Sequence, residues 1–351
     1  MFKITLEKGI EYSARKEESM REFTISSKEA NQRLDKFLLK YLNEAPKSFI
    51  YKMLRKKNIV LNGKKADGSE KLKENDSVKL FLSEDTIHSF QSKKALQTTN
   101  INWEKVSWFP EVEVVYQDED IIILNKPVGV LSQKSSPKDV SMNEYIIQYA
   151  LAHNLISEEE LQTFKPAICN RLDRNTSGLV VGGLSLAGLQ ETASLLKEHT
   201  LEKYYLTIVK GKLEGTKLLE GYLEKDEQKN KVVVSKEPGK TGKYLKTSYE
   251  VLLATEEFSL LKIRLYTGKT HQIRAHLASI SHPVIGDYKY GDVKLNDELK
   301  KRFQLKAQLL HSYQLRIPEQ SKVLKQLSGK TFTAKKTELF QRIEKELFHL
   351  T

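Results

Sequence analysis

Leu34, Phe37, Leu38, Tyr41 and Leu42 recur at three- and four-residue spacing, which predicts a helix with one buried face. Pro46 suits the first turn of a second helix, in which Ile50, Met53 and Leu54 face inward. Ile59-Val60-Leu61 reads as a strand closed by the hairpin turn Asn62-Gly63, and the alternating run Ser77 to Leu82 as another. Residues 84–108 are polar and aperiodic and read as a linker, with Trp103 and Trp108 docking its end on the second domain. Beyond it the pattern mixes periods. Val112 to Tyr116 and Ile121 to Leu124 are strand-like around the acidic turn Gln117-Asp118-Glu119-Asp120, and Asn125-Lys126-Pro127 breaks the second of them. Ala167-Ile168-Cys169 and Leu179-Val180-Val181 read as strands, 186–199 as a helix, and 203–209, 231–235, 247–253 and 258–266 as further strands. The fold class expected is α+β: a small helix, hairpin and strand domain over 22–83, a linker over 84–108, and a larger, mainly antiparallel mixed sheet flanked by helices over 109–351.

Charge adds a partner to this picture. The 351 residues carry a net charge of +12, and residues 1–83 hold 19 Lys/Arg against 12 Asp/Glu. An excess concentrated in the small domain favours a polyanion through counterion release, with a merely solvated surface as the alternative. Lys52, Arg55 and Lys56 share one face of the second helix and Lys57 extends the basic run. Strands rather than a third helix follow that face, which disfavours a DNA-binding helix-turn-helix. The single cysteine, Cys169, excludes an internal disulfide and reads as a small buried side chain. No signal-peptide core or membrane-length apolar run is present, so the expectation is a cytoplasmic monomer without membrane contact.

Between the strand-like runs at 167–169 and 179–181 lies Arg171-Leu172-Asp173-Arg174-Asn175-Thr176-Ser177-Gly178. Turn formers explain Asn, Ser and Gly there, but not an Asp flanked by two Arg residues. Neighbouring positive charge keeps such a carboxylate ionised, as a nucleophile or an electrostatic stabiliser requires; the plainer alternative is a loop-pinning ion pair. Thr267-Gly268-Lys269-Thr270 does not make a phosphate loop, because Ile263 stands where the first glycine belongs, so no nucleotide cofactor is called for. His271, His276 and His282 lack the spacing of a metal site on a helix, and no metal is expected.

Taken together these segments resemble the RluA-type pseudouridine synthases. The octet resembles the family's His-Arg-Leu-Asp-Arg-Asp-Thr-Ser-Gly, with Asn170 and Asn175 in place of His and Asp. Tyr116-Gln117-Asp118 with Leu124-Asn125-Lys126-Pro127-Val128-Gly129, then Gly268 to His276 continued by His282-Pro283-Val284-Ile285-Gly286-Asp287, and Leu309-Leu310-His311-Ser312 match further signatures in the family's order. Lys269 replaces the usual Arg, keeping charge but losing the fork. The small domain resembles the RNA-binding domain named after ribosomal protein S-four, through Gln32 to Leu38 and Ile59 to Gly63.

The resemblance implies an isomerase that converts uridines of RNA to pseudouridine without cofactor, on large-subunit ribosomal RNA. Transfer RNA as substrate, or an RNA-binding and ribosome-assembly factor on the same fold, are the alternatives. It implies Asp173 as the catalytic carboxylate, Arg274 as its partner, and Tyr205 of Lys203-Tyr204-Tyr205 as the ring packed on the base with its hydroxyl near carbon five. Arg171 matches the residue that fills the space left by the flipped base. Arg174, as a phosphate contact or loop brace, joins Lys269, His271, Lys52, Arg55, Lys56 and Lys57 as candidate RNA contacts. Tyr204 should point to the opposite face of the strand from Tyr205.

Overall fold

The structure is a computed structural model that describes residues 20–91, 110–136, 138–226, 231–238, 242–319, 321 and 323–351. The chain divides into two compact units, Met1–Ala95 and Leu96–Thr351. Trp103, Trp108 and most of the stretch expected to be a linker lie outside the described residues.

In the small unit, strands β1 (Met20–Thr24), β2 (Ile59–Leu61), β3 (Lys64–Lys65) and β4 (Ser77–Phe81) form an antiparallel sheet in the order β1-β4-β2-β3. Helices α1 (Leu34–Tyr41) and α2 (Lys47–Arg55) bury Leu34, Phe37, Leu38, Ile50 and Leu54 with Val78 and Leu80 of β4. Asn62 and Gly63 take φ of 51° and 71°, the pair of left-handed residues that a two-residue hairpin of matching twist requires. β1 escapes the periodicity because only its second and fourth residues are partly buried. The segment expected to be a linker begins with helix α3 (Glu84–Ser89), capped by Ser83 and anchored in the small unit's core by Ile87.

In the large unit, β5 (Glu113–Gln117), β6 (Ile121–Lys126), β7 (Ala167–Ile168), β8 (Ser177–Gly183), β9 (Glu202–Lys210), β10 (Thr216–Asp226), β11 (Lys231–Ser235), β12 (Lys243–Ala254), β13 (Phe258–Leu265), β14 (Leu310–Arg316) and β15 (Thr331–Thr333) make one sheet. The main order is β11-β10-β12-β13-β9-β14-β8-β6-β5, with β15 on β14 and β7 on β8. All pairings between these strands are antiparallel except β14 with β8. The break expected at Asn125 comes two residues later, because both Asn125 and Lys126 pair with β8 and only Pro127, which lacks an N–H donor, ends the ladder.

Alternation along β9 and β13 feeds two of the cores of this unit. Tyr205 and Val209 of β9 with Leu261 and Ile263 of β13 join Ile146 of helix α4 (Met142–Ala152) and Ile273 of helix α6 (Gln272–Ser279). Leu206, Ile208 and Leu260 join Leu299 and Phe303 of helix α7 (Val293–Phe303) and Phe340 and Ile343 of helix α8 (Glu338–Leu347). Helix α5 (Leu186–Lys197) follows β8, its N-cap Ser185 accepting from the Gly188 N–H. Thus α6 and the strand edge bearing Tyr205 share one side of the sheet.

Candidate active site

The Asp173 loop, residues 169–176, is held from several directions. Asn170 accepts from the Val181 N–H at 2.7 Å and donates to the Leu179 carbonyl at 3.3 Å, stitching the loop to β8. Ser132 Oγ donates to the Leu172 carbonyl (2.8 Å) and accepts from the Leu172 N–H (2.9 Å). Lys126 is fully buried, and its Nζ donates to the carbonyls of Pro127 (2.9 Å), Val130 (2.8 Å) and Arg174 (3.0 Å). Three donors meet three acceptors. Burial pulls the Lys126 value down to about 7, against the opposing pull of the Asp173 charge.

Gly178 closes the loop at φ 106°, where a Cβ would stand 2.1 Å from the Ser312 carbonyl oxygen. Only glycine allows β8 and β14 to approach there.

Opposite the loop, α6 starts at His271, which takes φ 58° as its N-cap. Gln272 fixes the preceding turn, accepting from the Lys269 N–H (3.1 Å) and Thr267 hydroxyl (2.9 Å) and donating to the Lys246 carbonyl (3.1 Å). One turn on, Arg274 grips Asp287 with Nε at 2.6 Å and Nη2 at 2.9 Å, and Asp173 with Nη1 at 2.8 Å. Asp287 is buried and also accepts from the N–H groups of Lys289 (2.9 Å) and Tyr290 (3.1 Å). Burial raises the Asp287 value, but the bonds and charge of Arg274 outweigh it and hold the carboxyl below the usual range. Burial likewise works against the Arg274 cation, yet Asp287 and then Asp173 raise it above an ordinary guanidinium.

His271 Nδ1 shares a 2.9 Å hydrogen bond with the Tyr290 hydroxyl, and its Nε2 lies 3.9 Å from Asp173. Burial lowers its value, with the Asp173 charge opposing. The Tyr290 ring lies 5.2 Å from the Arg274 guanidinium, a cation–π contact on the face the carboxylates leave open.

Tyr205 projects from β9 and is 6% exposed. Burial pushes its phenol up to about 12; the Asp173 charge raises it further and a hydrogen bond with Ser312 opposes. Tyr204 points the other way, donating to Glu202 at 2.6 Å with the Lys262 ammonium 4.9 Å from its ring. Asp173, Tyr205 and Arg274 line one cavity of about 550 Å³ with Leu131, Cys169 and Leu265. That size falls within the range of small-molecule sites, roughly 300–1,000 Å³.

The structure therefore brings Asp173, Tyr205, Arg274, Arg171, Lys269 and His271 to one cavity. Arg174 is exposed, donates from Nε to the Gly129 carbonyl at 3.2 Å, and is not among the lining residues. Among the described residues neither Arg171 nor Arg174 pairs with Asp173; the positive charge comes from Arg274, 101 residues away. Sequence proximity pointed to the flanking Arg171 and Arg174, whereas the partner is Arg274, the residue the family resemblance implied. Cys169 is half-buried rather than buried, and desolvation pushes its thiol up to about 12, so it stays protonated. In the small unit Lys52, Arg55, Lys56 and Lys57 are exposed; α2 ends at Arg55, and Lys57 turns the chain at φ 61°. The sequence reading missed Asp287 as the brace of Arg274 and Lys126 as the anchor of the loop. Both residues stand inside recognised segments, but nothing in those segments says what they touch.

Comparison with known proteins picks out the same segments. A family profile described as RNA pseudouridylate synthase matches residues 120–279, and one described as S4 domain matches residues 32–78. The chain is 30% identical over 299 residues to an uncharacterised RNA pseudouridine synthase of Mycoplasma genitalium, covering 85% of this chain and 89% of that protein. It is 31% identical over 307 residues to ribosomal large subunit pseudouridine synthase C of Pasteurella multocida, covering 85% and 86%. It is likewise 31% identical over 301 residues to ribosomal large subunit pseudouridine synthase D of Borreliella burgdorferi, covering 85% of each. Among solved structures, human RNA pseudouridylate synthase domain containing 4 matches with a TM-score of 0.52 at 19% identity, over 71% of this chain and 94% of that one, a likeness of fold.

Proposed function

The chain belongs to the RNA pseudouridylate synthase family, and from that premise we propose that it isomerises uridines of large-subunit ribosomal RNA with Asp173 as the catalytic carboxylate. The observation that carries the catalytic part is the 2.8 Å bond from Arg274 to Asp173 on the wall of the cavity that Tyr205 also lines. The substrate part rests on relatives named for the large ribosomal subunit and on the basic face of α2.

The reaction detaches uracil from its ribose nitrogen link, turns it and rejoins it through carbon five. Every atom of the substrate is kept and no oxidation state changes overall, so the isomerisation needs no redox cofactor. The uridine must leave its stack to enter the cavity. Asp173, fixed by one Arg274 nitrogen, attacks the ribose or takes a proton from it. Arg274 cannot drift toward the substrate, because two of its nitrogens stay on Asp287. Tyr205 packs on the base with its hydroxyl near carbon five, and over the isomerisation the proton that carbon five loses is matched by the one the freed ring nitrogen gains. With its value near 12 the phenol stands protonated in the resting site. Arg171 occupies the stack that the uridine vacates, and Arg174 braces the loop against Gly129. Lys269 and His271 meet the RNA at the cavity, and Lys52, Arg55, Lys56 and Lys57 of the small unit bind its phosphates.

The test is conversion of ribosomal RNA by the purified protein and by Asp173→Asn. The substitution should abolish pseudouridine formation while leaving RNA affinity within about twofold, since a single rim charge changes little of a many-phosphate interface. Retained turnover would remove Asp173 from the reaction; turnover of transfer RNA alone would reassign the substrate.

A further inference from the structure

Lys203 stands two residues before Tyr205 on β9, and the alternation of the strand turns both side chains into the same cavity. It is 6% exposed. Among the described residues its ammonium has no hydrogen bond, ion pair or ring contact. The other cations nearby are provided for: Lys126 meets three carbonyls, Lys134 lies 3.4 Å from Glu144, and Arg274 holds two carboxylates. Arg171 is exposed and Lys269 half-buried, so Lys203 is the buried cation of the cavity wall without a partner among the described residues, and it has charged company of its own sign. Its charge and that of Lys269 reach His199, and all three line the cavity. Asp173 is the sole carboxylate among the lining residues, and Arg274 already holds it.

A buried ammonium without a counter-charge loses its hydration and gains nothing in return. A fold tolerates such a group where a ligand brings the missing anion. The reading of the cavity as the pocket of a flipped uridine, on which this inference rests, supplies one, because each nucleotide carries a phosphodiester on either side of its ribose. Residues two apart on a strand are spaced by about 6.6 Å. Lys203 can therefore meet a phosphate while Tyr205 meets the base of the same nucleotide.

We propose that Lys203, with Lys269 and His199 beside it, forms the seat for the phosphodiester of the flipped nucleotide. The phosphate completes the unpaired cation, and its docking sets how deep the base enters. Discrimination between a target uridine and a free nucleoside thus has a structural origin inside the cavity, apart from the contacts of the small unit.

Binding of uridine and of uridine 3′,5′-bisphosphate to the full chain, followed by NMR titration, tests this directly. The wild type should prefer the bisphosphate by about tenfold, the scale of one charge-assisted contact. Lys203→Met should lose most of that preference with uridine affinity unchanged, which also shows that the pocket is folded, and Lys203→Arg should keep it. A full preference in Lys203→Met, or none in the wild type, would overturn the assignment. Pseudouridine formation in ribosomal RNA is scored separately. An active wild type whose Lys203→Met variant still prefers the bisphosphate sinks the phosphate seat alone. A preference that depends on Lys203 in a protein that makes no pseudouridine sinks the functional reading and leaves the seat standing.

Discussion

Arg274 and Asp287 meet through two hydrogen bonds of 2.6 and 2.9 Å inside the large unit, and that pairing leaves one guanidinium nitrogen for Asp173. The three groups form a relay of charge in which the buried acid neutralises the cation and the cation orients the half-buried acid. Removing the first acid strands a buried charge, so Asp287→Asn should cost about 3–5 kcal/mol of stability. Arg274→Lys keeps the charge but cannot fork, and should lower turnover by about a hundredfold through misorientation of Asp173. Thermal unfolding of the first variant and single-turnover rates of the second check these values. Unchanged behaviour of either would mean that Arg274 does not depend on its brace.

A pH dependence of stability arises from two other buried groups. Desolvation lowers both His276 and His311 to about 4, against 6.5 for a free imidazole. The unfolded chain therefore binds protons that the folded chain refuses. Stability is fully present above pH 6.5 and drains as the pH falls toward 4, by about 2 kcal/mol for each group at pH 5. Urea midpoints at pH 7 and pH 5 should differ accordingly, and the double variant His276→Gln, His311→Gln should narrow the gap. An equal gap in that variant would assign the acid sensitivity to other groups.

Gly178 joins the Asp173 loop to the strand carrying Ser312. Its φ of 106° and the 2.1 Å approach of a Cβ to the Ser312 carbonyl oxygen leave no room for alanine. Gly178→Ala should destabilise the large unit by about 2–4 kcal/mol as strain and overpacking combine. Calorimetry of the variant showing an unaltered unfolding temperature would contradict the tight packing of β8 on β14.

How much of this is readable from sequence depends on the kind of contact. Asp173 and Arg274 stand in two separate motifs, so their candidacy is legible although their 2.8 Å bond joins residues 101 apart. Asp287 is not legible as the brace, because its role exists only once α6 and the turn at 287–290 are side by side. Helix α4 escaped the reading although Ser141 and Glu144 form a capping box at its start, since its apolar positions run nearly all round rather than along one stripe. β10 escaped because its outward residues Leu218 and Tyr222 blur the alternation. Lys126 read as part of a strand break beside Pro127; only the folded chain reveals three carbonyls converging on its ammonium.

The basic face of α2 carries a prediction about salt. Replacing Lys52, Arg55 and Lys56 with Gln should weaken RNA binding and reduce the slope of log affinity against log salt by about two to three, as each lost phosphate contact removes nearly one counterion. Filter binding over a salt series reads this slope. A weaker affinity with an unaltered slope would mean that these residues act on folding of the small unit and not on phosphates.

The central claim is tested most directly by chemical mapping of pseudouridine in total RNA from cells lacking this protein, complemented by the wild type or by Asp173→Asn. The account predicts that one or more large-subunit ribosomal sites vanish on deletion, return with the wild type and stay absent with Asp173→Asn. A map that is unchanged by deletion, or restored equally by both proteins, would contradict it.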